Sequence, residues 1–273
     1  MAVPNRVADR LVAGLKRFQP ILAAAKARDV NESDTSMIVT DMLAEMFGFD
    51  KYAEITREMA IRGTFCDLAT KIDGKVRMLI EVKAIGLELK EAHSRQAVDY
   101  AANSGIEWVA VTNGTCWRVI KVIFGKPVDQ ELVLELTVPD LNPRNGDHLE
   151  SLFLLTRESV VKSALDAYHD KLEATNRFFL AAIILSDAVL EIARRELRRV
   201  SPELKIDVEE LRTLLSREVL KRDVIEGEKA DHARKKITRA AAKLLRVKKI
   251  EDGESDKVPI APIAASPTPD IAR

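Results

Sequence analysis

A chain of 273 residues that is 47% hydrophobic and 32% charged has globular composition, with room for one large domain or two small ones. Its 43 basic residues balance 43 acidic ones, so no overall field draws it to a polyanion, and nucleic-acid binding would have to come from local patches. The most apolar run, 178–185, is too short to span a bilayer and no secretory pattern opens the chain; we expect a soluble cytoplasmic protein with no membrane partner, and Cys66 and Cys116 as reduced thiols.

Val7, Leu11, Leu15, Phe18 and Leu22 recur at helical spacing and predict an amphipathic helix over 1–28, with Pro20 bending or breaking it. Asn31, Ser33 and Asp34 offer caps for a second helix that runs to about Phe47 and is closed by Gly48. Strands are expected at 55–60, 64–72 and 76–84, the last two joined by Asp73-Gly74, a strong hairpin signal. A helix over 92–103 ends at Ser104-Gly105. Strands at 108–112 and 117–124 follow, joined through Asn113-Gly114, with another at 132–136. This alternation predicts an α+β or α/β fold, a mixed sheet flanked by helices.

Residues 147–250 read as almost entirely helical: a long helix or helix pair over 149–200, a break at Ser201-Pro202, then shorter helices at 208–221 and 228–247. The expected organisation is an N-terminal helix (1–28), a sheet domain (29–145), a helical domain (146–250) and a tail (251–273). The tail's Pro, Ala, Ser and acidic composition predicts disorder.

The segment 76–84 is apolar nearly throughout, as for a strand buried on both faces. Glu81 and Lys83 interrupt it at spacing two, so both point to one face. Unpaired burial of either would cost several kcal/mol. They must pair with each other, reach solvent at the strand end, or hold a metal. On an edge strand they would be an ordinary surface ion pair.

A plain two-residue turn at Asp73-Gly74 would set Asp67 against Ile80, on the wrong side of the sheet. A three-residue connection, or a bulge with Gly74 left-handed, would instead make Asp67 and Glu81 cross-strand neighbours. Two adjacent carboxylates suit a hard cation, Mg²⁺ or Mn²⁺. Lys83 could then orient a water or neutralise charge on a phosphate.

Five features in order resemble the N-terminal nuclease domain of type I restriction enzyme R subunits, itself similar to RecB-like PD-(D/E)XK nucleases of the Q-x-x-x-Y subgroup. They are Asn31-Glu32-Ser33-Asp34-Thr35, Asp67, Ile80-Glu81-Val82-Lys83, Gln96-Ala97-Val98-Asp99-Tyr100, and Val111-Thr112-Asn113-Gly114-Thr115-Cys116-Trp117. The resemblance implies a restriction-endonuclease-like sheet and a Mg²⁺-dependent deoxyribonuclease acting in restriction or phage defence. It implies Asp67, Glu81 and the Val82 carbonyl as metal ligands, with Lys83 as catalytic lysine. Gln96 and Tyr100 would contact the substrate backbone, and Glu32, which Glu45 could replace, would approach the metal. Cys66 stands where many relatives carry proline. No Gly-x-x-x-x-Gly-Lys-Ser/Thr occurs, so no P-loop motor is expected in this chain and recruitment falls to a partner protein.

Residues 228–249 hold nine basic side chains against two acids. Arg234, Lys235, Lys236 and Arg239 are candidates for nucleic-acid contacts, or else form a solvated face. The stretch 178–190 is apolar nearly all round and predicts burial, which packing on the sheet domain or, as we favour, a homodimer would supply. Two functions stay open: a nuclease for DNA, or for RNA at the same site, and a non-catalytic nucleic-acid-binding or assembly subunit of a defence complex.

Overall fold

The structure, a computed structural model of the chain, describes residues 3–61 and 64–254. It forms two compact units, Met1–His169 and Asp170–Arg273.

The first unit is built on one six-stranded sheet. Helix α1 (Asn5–Ala27) buries Val7, Leu11, Leu15, Phe18 and Leu22 along one stripe. Pro20 lies inside this helix, which is not broken there and runs on to Ala27. Its ring sits on the exposed side, where water can satisfy the backbone carbonyl that loses its donor. Helix α2 (Glu32–Asp41) starts at Asn31, whose side chain accepts the Asp34 N–H. It continues as a π-helical turn (Met42–Met46) and stops at Gly48, which takes φ +83°.

The strands are β1 (Ile55–Ile61), β2 (Thr64–Ile72), β3 (Lys75–Val82), β4 (Trp108–Thr112), β5 (Cys116–Ile123) and β6 (Asp129–Thr137). They lie in sequence order across the sheet. Only β3 and β4 run parallel, and parallel neighbours need a crossover. Helix α3 (Glu91–Ser104) supplies it.

One face of the sheet, including Leu68, Ile80, Val82 and Trp117, packs with α1, α2 and the π-helical turn. The other, with Ala69, Leu79, Val109 and Val111, packs on Ala97 and Ala101 of α3. From Met78 to Val82 the central strand β3 is therefore buried on both faces, as its apolar run implied. Arg10 of α1 ties the first face down, donating to both oxygens of Glu158 and to the carbonyls of Met46 and Phe47.

The expected long helix or helix pair over 149–200 is five shorter helices: α4 (Gly146–Phe153), α5 (Arg157–Val161), α6 (Ala164–Thr175), α7 (Arg177–Ile184) and α8 (Asp187–Val200). Thr156 and Asn176 accept the N–H of Ser159 and Phe179, so each starts a new helix inside the run. Apolar spacing continues across both breaks, which is why periodicity did not show them.

The boundary between the units falls within α6. In the second unit α7 and α8 are followed by α9 (Val208–Leu214), α10 (Arg222–Ile225) and α11 (Glu228–Glu254). Burial of 178–190 is only partial. Ala181, Ala182 and Leu190 are buried, but Leu180, Ile183 and Ile184 are exposed. α11 runs four residues into the expected tail, and the rest of that tail lies outside the described residues. Both cysteines are free thiols. Among the described residues no helix is long and apolar enough to cross a membrane.

Candidate active site

The β2–β3 hairpin decides whether the two carboxylates meet. Asp73 (φ 51°) and Gly74 (φ 73°) both take left-handed backbone, the signature of a tight two-residue turn, and Ile72 pairs with Lys75. Continued unchanged, that register would set Asp67 against Ile80. It does change: Lys71 pairs with Val76 but Thr70 pairs with Met78, so Arg77 is the extra residue of a bulge. Leu68 then pairs with Ile80, and Asp67, one position along, comes beside Glu81. The turn is therefore plain, and the register shift comes from inside the ladder rather than from Gly74.

Asp67 Oδ2 accepts the Val82 N–H at 2.7 Å, a side chain standing in for a ladder partner. An extended residue turns its N–H and C=O to the same edge, so the Val82 carbonyl also faces the Asp67 side. Glu81 is buried at 4% exposure. Its Oε1 lies 2.6 Å from Lys83 Nζ, while Oε2 is buried without a hydrogen-bond partner among the described residues.

Burial pushes the Glu81 carboxyl above its ordinary range and Asp67 adds to this, while Lys83 opposes it. Burial alone would lower Lys83, but Glu81, Glu32 and Asp67 outweigh it, so the ammonium is held above its ordinary value and stays charged at neutral pH. The neighbouring Cys66 thiol is fully buried and pushed up to about 12, first by burial and then by Glu81. That makes it an inert wall of the site rather than a nucleophile.

Glu32, in the first turn of α2, brings Oε2 to 3.8 Å from Lys83 Nζ. Glu45 pairs with Arg17 instead. Gln96 and Tyr100 lie on α3, over the sheet face that carries Leu79, and Gln96 Nε2 donates to Tyr100 Oη at 2.9 Å. Neither makes a hydrogen bond to Asp67, Glu81 or Lys83 among the described residues. The structure thus gathers Asp67, Glu81, Val82, Lys83 and Glu32, and keeps Gln96 and Tyr100 as a separate pair.

An orphaned, buried carboxylate oxygen beside a second carboxylate is costly as it stands, and an oxygen-seeking divalent cation would remove that cost. The donor set fits such an ion.

Residues 41–131 match the family of the type I restriction enzyme R protein N terminus. The match to this R-protein domain covers about a third of the chain. It runs from the end of α2 into β6 and so takes in Asp67, Glu81, Lys83, Gln96 and Tyr100, with Glu32 just outside it. Neither the curated proteins nor the solved structures give a match.

The basic candidates belong to the second unit. Arg234 pairs with Asp231 and donates to the Ile225 carbonyl, and Lys236 pairs with Glu173. Lys235 and Arg239, four residues apart on α11, are exposed and unpaired among the described residues.

Proposed function

We propose that this chain is a divalent-metal-dependent nuclease that hydrolyses DNA phosphodiester bonds in restriction or defence against phage. The observation that carries the reading is the buried Glu81 Oε2 without a partner, beside Asp67, with Lys83 on the other oxygen. The match to a restriction-enzyme domain over the same residues supports it.

Asp67, Glu81 and the Val82 carbonyl would hold Mg²⁺ or Mn²⁺. When bound, such an ion supplies a water of lowered pKa and offsets charge on the scissile phosphate. Lys83, charged at neutral pH, donates to the attacking water or to a phosphate oxygen as negative charge builds there. Glu32 holds the Lys83 ammonium from its far side. The Gln96–Tyr100 pair offers an amide and a hydroxyl to the DNA backbone, contacts that position a strand without reading its sequence.

Two further elements of the reading concern the second unit. The exposed Lys235 and Arg239 supply phosphate contacts, and the exposed apolar residues Leu180, Ile183 and Ile184 support a homodimer. With Lys235 and Arg239 as its whole function, the chain would instead be a binding subunit.

Purified protein is expected to nick or linearise supercoiled plasmid with Mg²⁺ or Mn²⁺ and not with EDTA, and Lys83→Ala is expected to abolish this. Cleavage that survives both Asp67→Ala and Lys83→Ala overturns the assignment. Salt-sensitive DNA binding without turnover would favour the binding subunit.

A further inference from the structure

The segment between β3 and α3 has no regular structure over residues 83–90, yet it carries Lys83 at one end and leads into the Gln96–Tyr100 helix at the other. Such a segment holds its place only if its backbone groups find partners elsewhere. Three of them, the Lys83 N–H and the Leu87 and Leu89 carbonyls, find theirs on a single hairpin, β4–β5. The Thr112 carbonyl accepts the Lys83 N–H at 2.8 Å. Asn113 Nδ2 donates to the Leu87 carbonyl at 2.8 Å, and Arg118 Nη1 donates to the Leu89 carbonyl at 2.6 Å.

Asn113 is 7% exposed, and both ends of its amide are used. Oδ1 accepts from Thr115 N, Thr115 Oγ1 and Cys116 N, which is the ordinary work of an asparagine in a turn. That work does not require Nδ2 to reach a residue 26 positions away. The same turn meets the helix that bears Glu32. Gly114 sits at φ +80°, and a Cβ there would approach Leu22 of α1 at 3.1 Å and Thr35 of α2 at 3.7 Å. On the loop itself, a Cβ on Gly86 would collide with Asp29 at the α1–α2 corner. One turn therefore meets both the segment that follows Lys83 and the helix that bears Glu32.

Resting on the nuclease reading of Asp67, Glu81 and Lys83, we propose that Asn113 is a positioning residue for that reaction. It locks the 83–89 segment so that the Lys83 ammonium is held against Glu81. It touches neither metal nor substrate. Arg118 serves the same segment through Leu89.

The test compares the full chain with Asn113→Ala and Arg118→Gln. Three readouts are needed: amide hydrogen exchange, Mn²⁺ binding by calorimetry, and steady-state plasmid cleavage. Exchange at residues 84–89 is expected to speed up in both variants, with β6 and the β5 amides beyond Cys116 unchanged; Asn113→Ala also frees the Thr115 and Cys116 N–H. Mn²⁺ affinity should stay within about twofold, because Asp67 and Glu81 lie on the intact hairpin, while kcat falls about 10- to 100-fold at little changed KM. Arg118→Gln, altering a partly exposed side chain, keeps the comparison available if Asn113→Ala does not fold.

Unchanged kcat in the folded variants overturns the inference, as does exchange that rises equally across the whole sheet. Failure of the nuclease reading shows separately, in the unsubstituted chain, as Mn²⁺-dependent cleavage that never occurs.

Discussion

Lys83 Nζ holds one oxygen of Glu81 at 2.6 Å and leaves the other buried with no hydrogen-bond partner. A buried carboxylate half satisfied by a single ammonium is poorly solvated, and the adjacent Asp67 worsens its position. Folding tolerates the arrangement because β3 is held by strands on both sides.

Metal addition is therefore expected to stabilise the fold. A ligand that binds only the native state contributes about 2.7 kcal/mol at a free concentration near one hundred times its Kd. Thermal denaturation with and without Mn²⁺ should show a concentration-dependent rise in Tm, lost in Asp67→Ala and in Glu81→Ala. A rise that persists in both variants would place the ion elsewhere.

Gly74 offers a clean measure of the turn that precedes the bulge. Nothing lies within 4 Å of a Cβ built there, so a substitution meets only backbone strain at φ +73°. Gly74→Ala should cost about 1–2 kcal/mol in chemical denaturation. A cost near zero would mean that the turn relaxes to another type.

The Arg10–Glu158 pair gives a pH dependence remote from the carboxylates. The Arg10 hydrogen bond holds Glu158 below its ordinary 4.5, against a smaller opposing effect of burial. The unfolded chain therefore binds the proton more readily, so the pair stabilises above about pH 4.5 and its contribution is lost as pH falls through the folded value. Both groups are partly exposed, so Glu158→Gln should cost only about 1 kcal/mol at pH 7. Denaturation midpoints of variant and parent should converge in acid. A gap that widens on acidification would contradict this assignment.

On α11 the exposed and the paired cations should behave differently. Neutralising Lys235 and Arg239 is expected to lower the slope of log affinity for DNA against log salt by about two. Neutralising Arg234 and Lys236 should instead lower the melting temperature, because it breaks their pairs with Asp231 and Glu173. Equal effects of the two double variants on the salt slope would remove this distinction.

Much of the first unit was legible beforehand because its signals are local. Alternation and Asp73-Gly74 mark the β2–β3 hairpin, Asn31 caps α2, and Gly48 ends the helical run. Glu81 in β3 and Lys83 just past its end have the same parity, so an extended chain turns both to one side. The C-terminal helices were less legible, because Thr156 and Asn176 cap new helices without disturbing the apolar spacing.

The sequence by itself determined which residues of β3 bear charge, on which face, and that their burial demands a partner. It left the Asp67 register open, since the Asp73-Gly74 turn is compatible with either parity. Only the tertiary structure decided that Arg77 bulges and brings Asp67 beside Glu81, because a bulge forms where two strands are paired within a packed sheet. The same holds for Asn113. Its reach to Leu87 exists only once α3 has carried the chain across the sheet and set β4 beside β3.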